Sequence, residues 1–353
     1  MRHRIVDSID QIDPERWDAV AGGEIAMSHR WQRVMEASRR GYRPRYILLE
    51  DEHGPLATAV VNTAEEFGRS GWREALMRRL TAVVGATFSS RHCGVAARPG
   101  VGLAVVLPGV ERALADLCRR EARPLLAVKS VAEEQLPVLR ARGYFASRQP
   151  NYMVLDLPVS SYEGYLELLS GRDRAELRRV RRRGADSGAE LSLAPLDGQG
   201  DRLFPLMAEI YARHGKAVAA MPLTSELFPA LEREMPGEAI VFSGTVDGKL
   251  AGFFLGLRQG DELLAPVAGL RYELAHPSCL YFLLIDQLVR WSTERGLRRI
   301  YAGMSNEQQK ARHGFRPQAR WFCVRANPGP VNRALGLALA RRGGSSSAAV
   351  PAK

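Results

Sequence analysis

The sequence is poor in lysine, in paired cysteines and in long apolar runs, and each shortage excludes something. Only five of its 50 basic residues are lysines: Lys129, Lys216, Lys249, Lys310 and Lys353. The four cysteines (Cys93, Cys118, Cys279, Cys323) are scattered without a Cys-x-x-Cys pair, and each reads as a small buried hydrophobe. The seven histidines form no His-x-x-x-His spacing, so no dedicated metal site is expected. No stretch approaches the roughly 20 apolar residues that a membrane-spanning helix requires. The opening MRHRIVDSIDQIDPERWDAV lacks a continuous apolar core and carries acids early, unlike a signal peptide, so a cytoplasmic location is expected.

What is present points to a folded α/β protein. At 353 residues the chain exceeds the size at which one core stops growing, which predicts two domains. Hydrophobic residues make up 46% and charged residues 25%, ordinary values that exclude global disorder. The net charge of +11 favours an anionic partner: nucleic acid, a nucleotide-bearing substrate or a phosphorylated cofactor.

An internal repeat organises the chain. RYILLEDEHGPLATAVVN (45–62) alternates as two strands about a turn at His53-Gly54, and EAIVFSGTVDGKLAGFFLGL (238–257) does the same about Asp247-Gly248. After the first hairpin come a helix (109–122), a strand (123–131), a helix ending at Arg142-Gly143-Tyr144 and a strand (151–157). After the second come a helix (280–296), a strand (297–304), a short helix ending at His313-Gly314-Phe315 and a strand (320–326). Glycine at both helix ends suits a C-cap that needs positive φ. The repeat predicts two similar mixed-sheet domains, at 1–158 and 189–330. Residues 159–188 bridge them through a strongly basic helix, and 331–353 form a helical or flexible tail.

Four stretches together resemble the FemAB-like branch of the GNAT acetyltransferase superfamily. They are residues 142–183, with an aromatic strand, a tyrosine-containing helix and an arginine-rich helix; LYFLLIDQLVRWSTERGLRRIYAGM (280–304); a KxxxGFxP motif met by Lys310, Gly314, Phe315 and Pro317; and SHRWQRVMEAS (28–38). The resemblance implies tandem GNAT-like α/β domains and N-acyl transfer, in which an amine attacks an activated carbonyl. Some relatives take aminoacyl groups from aminoacyl-tRNA to build peptidoglycan bridges or natural products; others use acyl-CoA.

GNAT enzymes that use CoA cradle its pyrophosphate in a Gly-rich [RQ]xxGx[GA] loop. The corresponding stretch of the second domain, PVAGLRYELAHPSCLYF (266–282), holds only Gly269, and AARPGVG (96–102) in the first domain is a poor substitute. Together with the basic bridge, this favours an aminoacyl-tRNA donor with no further cofactor. An acyl-CoA donor is the alternative, and a non-catalytic RNA-binding protein with the same fold is the third reading. The acceptor is expected to be an amine on a small molecule or a cell-wall precursor. On the bridge, Arg174, Arg178, Arg179, Arg181, Arg182 and Arg183 are phosphate or tRNA candidates. A solvated charged helix face is the plainer reading.

Acyl transfer builds a tetrahedral oxyanion, which preorganised positive charge stabilises. A compact ammonium can address one oxygen where a guanidinium would be wider. By resemblance this role falls to Lys310, in a chain that otherwise prefers arginine, and the first copy of the repeat holds no lysine at its helix stop. Candidates for proton removal are Tyr272, Glu273, His276 and His313; a relay through the substrates alone is the alternative. Substrate contacts are expected from Tyr281 and Phe282, which open the helix at 280, and from Arg91, His92 and Lys129 in first-domain strands. Lys216 is placed at the acceptor, and Lys249 in the hairpin turn.

Overall fold

The computed structural model describes residues 1–21, 23–64, 72–85, 91–213, 218, 221–327 and 329–343. Lys216 and the tail beyond 343 lie outside them. In chain order the first half runs β1 (Arg2–Val6), α1 (Pro14–Ala21), α2 (His29–Ser38), β2 (Pro44–Asp51), β3 (Gly54–Asn62) and α3 (Trp72–Leu80). It continues with β4 (Thr81–Val84), β5 (Val95–Ala97), α4 (Leu103–Arg120), β6 (Leu125–Val131), α5 (Leu136–Ala141) and β7 (Phe145–Asp156). Helices α6 (Tyr162–Leu168) and α7 (Gly171–Asp186) follow. The second half holds β8 (Ala189–Pro195), α8 (Gly200–Arg213), α9 (Leu227–Glu234), β9 (Ala239–Val246), β10 (Lys249–Gln259) and β11 (Glu262–Leu270). It ends with α10 (Tyr272–Ala275), α11 (Leu280–Glu294), β12 (Arg299–Tyr301), α12 (Glu307–Ala311), β13 (Arg316–Ala326) and α13 (Gly329–Gly343).

The strands form one continuous sheet in the order β1-β2-β3-β4-β6-β13-β7-β12-β11-β10-β9-β8, with β5 paired to β3. Read from its two edges, the sheet repeats itself. An antiparallel series (β1-β2-β3-β4, then β8-β9-β10-β11) is followed by a parallel neighbour, β6 beside β4 and β12 beside β11. The closing strands are exchanged. β13, the last strand of the second half, pairs with β6 of the first, while β7 of the first half pairs with β12 of the second. β7 and β13 then pair with each other at the centre. The halves of the sequence are therefore not separate sheets: each completes the other.

Alternation along the strands explains the packing, because successive side chains point to opposite faces. In β2, Tyr46 and Leu48 join one core while Ile47 and Leu49 join another. On one face α4 covers the first half and α6, α7 and α11 cover the second, in two distinct clusters. On the other face α1, α2, α8 and α9 bury Trp17, Met27, Leu203, Phe228 and Phe253 in a single cluster spanning both halves. Ser28 caps α2, its hydroxyl accepting from the Trp31 amide at 3.2 Å.

The repeated helix stops match in detail. Gly143 and Gly314 have φ of 81° and 78°, and their amides donate to Arg140 and Ala311. The Tyr144 and Phe315 amides then close back on the carbonyls of Leu139 and Lys310. Lys310 therefore has a structural counterpart in the first half, and it is Leu139. One expected strand is shorter than its sequence suggested: β12 stops at Tyr301 rather than running to residue 304. The reason lies in the site itself.

Candidate active site

β11 and β12 run parallel in register from Glu262↔Arg299 to Leu264↔Tyr301 and then part. A bulge in β11 at Ala265-Pro266, opposite Gly256 of β10, bends that strand, and proline is tolerated there because a bulge leaves its position unpaired. On the other side, Ala302 and Gly303 leave β11 and pair with Met153 of β7, through Ala302 N–H to Met153 O and Met153 N–H to Gly303 O, both 2.9 Å. The exchanged strand thus holds one wall of the opening. Between the walls lies a cavity of about 320 Å³, floored by α8 and bounded by Phe254, Leu270 and the loop 302–306.

Lys310 reaches this cavity from α12. Its side chain is only 1% exposed, and its ammonium donates to the carbonyls of Ala302 and Ser305, the latter at 2.6 Å. These bonds engage two carbonyls of the segment that leaves β11 after Tyr301, where β12 ends. Among the described residues no carboxylate pairs with the ammonium, and burial lowers its pKa from 10.5 to about 8. An ammonium has three donors, and two are occupied here.

The rim is polar. Asn306, the residue before α12, has φ of 56°, a left-handed conformation that asparagine tolerates better than most residues, and it lines the cavity with Ser305. Its side chain hydrogen-bonds to that of Tyr281, and burial raises the Tyr281 hydroxyl to about 12. Tyr272 also lines the cavity, and its pKa is raised by partial burial. Both tyrosines are neutral near pH 7.

Of the residues expected from sequence, Lys310, Tyr272 and Tyr281 converge on the cavity. Glu273 and His276 are exposed and outside its lining. His313 is buried, stacked on Phe282 with ring centroids 5.9 Å apart, and burial pushes its pKa down to about 4. Phe282 therefore packs against the core rather than facing a substrate. Arg91 ties the halves together instead of opening onto the cavity. It pairs with Glu24 at 3.0 Å and Glu262 at 2.6 Å and lies 3.8 Å from the Tyr301 ring centroid. His92 is likewise packed away, its pKa lowered to about 4 chiefly by burial. Ser305, Asn306 and the α8 wall were missed. Ser-Asn directly before Glu307 is a recognisable helix-start signal.

Among the described residues the matching place in the first half is nearly closed. A Cβ on Gly85 would lie 2.3 Å from Lys129 Cγ, and one on Gly94 would lie 2.5 Å from the Gly85 backbone. Lys129 therefore packs along the backbone of Gly85 and lies outside the lining of the cavity between β11 and β12. Beneath it, Leu139, Val128, Val84 and Tyr144 surround a space of only about 10 Å³.

The basic helix divides its arginines. Arg174 donates to the carbonyls of Leu166, Glu167 and Leu169, finishing α6. Arg181 joins Tyr162 and Asp286 in a cluster that fastens α7 and α6 to α11. Arg179 pairs with Glu176 at 2.7 Å, and Arg183 donates to Pro277 O at 2.7 Å. Arg178 and Arg182 face solvent and make no hydrogen bond or ion pair among the described residues.

Residues 171–311 match the acetyltransferase (GNAT) domain family. Solved structures extend the likeness over nearly the whole chain. FemX aligns with a TM-score of 0.58 at 11% identity, covering 92% of this chain and 97% of its own. The chain has a tandem GNAT fold, similar to that of FemX. The C-terminal domain of a protein assigned as a lysylphosphatidylglycerol synthetase from Agrobacterium fabrum shares that fold (TM-score 0.56, 14% identity, 93% and 96% covered). So does a tandem GNAT protein from the clavulanic acid biosynthesis pathway (0.51, 13%, 93% and 100%). Among curated proteins, none matches the sequence. Among the described residues no helix of this fold is long and apolar enough to cross a membrane, and no cluster of His, Cys, Asp or Glu could hold a metal.

Proposed function

We propose that the chain is an N-acyltransferase whose second half carries the chemistry in the cavity between β11 and β12. The observation that carries this reading is the Lys310 ammonium, buried in the wall of that cavity with no counter-ion among the described residues. The amine nitrogen attacks the acyl carbonyl carbon, a C–N bond forms, and the bond to the carrier oxygen or sulfur breaks. The amine gives up a proton and the leaving group takes one. Lys310 has one donor left for the oxyanion, and its other two bonds fix the ammonium so that little reorganisation accompanies the reaction. Tyr281 and Asn306 orient the substrate at the rim. Neutral Tyr272 is a proton donor or relay within reach of solvent, whereas Glu273, His276 and His313 have no such position.

The donor is aminoacyl-tRNA in this reading. A CoA pyrophosphate would need free amides in the loop before α11, and five of the amides there are already used. Tyr272 N–H donates to Glu209, and the N–H groups of Leu274, Ala275, His276 and Cys279 donate to carbonyls within the loop. Arg178 and Arg182 supply an exposed basic surface on α7, beside the helix whose start meets the cavity. The acceptor is an amine on a small molecule or cell-wall precursor.

The test is direct. The protein is incubated with charged total tRNA, or with a panel of acyl-CoA thioesters, in the presence of mixed amines, and new amides are followed by mass spectrometry. Amide formation that RNase abolishes supports the aminoacyl-tRNA donor. Formation from CoA thioesters alone replaces the donor but keeps the reaction, and no amide from either source overturns the reading.

A further inference from the structure

We propose that the cavity between β11 and β12 selects an apolar acyl group, so that the group transferred carries an aliphatic or aromatic side chain rather than a cationic one. The inference rests on the acyl-transfer reading and names the substrate class of the same site.

The lining decides it. Met207, Ile210, Met221, Leu223, Val267 and Leu270 supply the depth of the cavity, while its polar groups lie on the 302–306 side and at the tyrosines. Among the described residues no carboxylate lines it, and the one fixed charge in that lining is the positive Lys310. Glu209, on the helix that floors the cavity, is engaged by the Tyr272 amide at 3.0 Å and lies 3.9 Å from Arg271. Residues 214–220, which precede Met221 in the sequence, contain no acid. A lysyl-type ammonium in this space would be buried without a partner and would share the cavity with a like charge.

Aromatic faces could in principle receive a cation, but three of the four rings in the lining already have a partner. Arg213 already lies over Tyr272 at 4.2 Å from the ring centroid, and the Phe254 and Tyr281 rings pack on each other at 5.6 Å. The volume of about 320 Å³ falls at the small end of ligand sites, which run from roughly 300 to 1,000 Å³. That size suits one leucine-like or phenylalanine-like group, and the two methionines adapt their shape to it. A glycyl or alanyl group would leave apolar wall uncovered.

The test uses two probes that differ in side-chain charge: N-acetyl-leucinamide and N-acetyl-lysinamide, titrated into the full chain by ligand-observed NMR. The expected result is saturable binding of the leucine probe, at least tenfold tighter than the lysine probe. A268W, which fills the cavity from β11, abolishes that binding. A268E places a carboxylate in the lining and reverses the preference. Equal or tighter binding of the lysine probe to the unaltered protein, or binding of neither, overturns the proposal. A charge reversal with A268E supports it even where A268W fails to fold. Leucyl and lysyl donors compared in the amide assay separate the two claims. Selective binding without transfer leaves the cavity's selectivity standing and removes the acyl-transfer reading.

Discussion

The two openings of this sheet, between β4 and β6 and between β11 and β12, begin from the same arrangement and end differently. Both are parallel neighbours at the end of an antiparallel series, each followed by a short helix that stops at a positive-φ glycine. In the first, Gly94 packs on Gly85, the stem of Lys129 lies across them, and Leu139 helps to fill the space below. In the second, the strands part around a cavity, and the residue matching Leu139 is Lys310. A duplicated fold can thus hold one copy closed as support while the other stays open. The exchange of closing strands makes that support physical, because β7 of the closed half props the Ala302-Gly303 wall of the open one.

The largest effect is expected from making the second opening like the first. Lys310→Leu should lower amide formation about 10²- to 10³-fold, the usual cost of losing one oxyanion donor. The far-ultraviolet circular dichroism should be unchanged. Activity within threefold of the unaltered protein would break the comparison. The reverse exchange, Leu139→Lys, buries an ammonium among Val84, Val128 and Tyr144. It should destabilise the protein by about 3 kcal/mol or more in a urea titration, because an unpaired buried charge is costly.

A smaller effect should appear with pH. The folded Lys310 loses its proton near pH 8, whereas in the unfolded chain it does so near 10.5. Between these values the unfolded state binds more protons, so this group makes stability rise with pH across that window. The Lys310 charge proposed to meet the oxyanion is lost as pH rises through about 8. The ratio of wild-type to Lys310→Met kcat/KM should therefore fall above pH 8, while the urea midpoint of wild type gains on that of the variant. Taking the ratio cancels the titration of the acceptor amine. The smallest effect is expected from α7. Arg178→Gln with Arg182→Gln should leave the thermal midpoint unchanged and reduce the salt slope of tRNA binding by about 2, one for each phosphate that is no longer neutralised.

Much of this fold is legible in the sequence, because the hairpins, the helix at 280 and both glycine stops announce themselves locally. Which sheet a closing strand joins is not a local property. β7 and β13 occupy equivalent places in the repeat, and nothing in their pattern says that each pairs with the other half. β11 was obscured by Pro266 and Gly269, which read as loop residues until the bulge explains the proline. Lys310 stood out by residue type, but its two carbonyl partners depend on where the chain turns after Tyr301. The arginines of α7 illustrate the opposite problem. Their sequence suggests a uniform basic face, yet Arg174 and Arg181 are bound within the fold through partners that no spacing rule reveals.

The central claim is that the second opening, and not the first, receives the acyl group. A crystal structure of the chain with N-acetyl-leucinamide tests it most directly. The account predicts density between Ala268 and Asn306 with the amide end toward Lys310, and none beside Leu139 and Val84. Density in the first opening, or in the second with the amide turned away from Lys310, would contradict it.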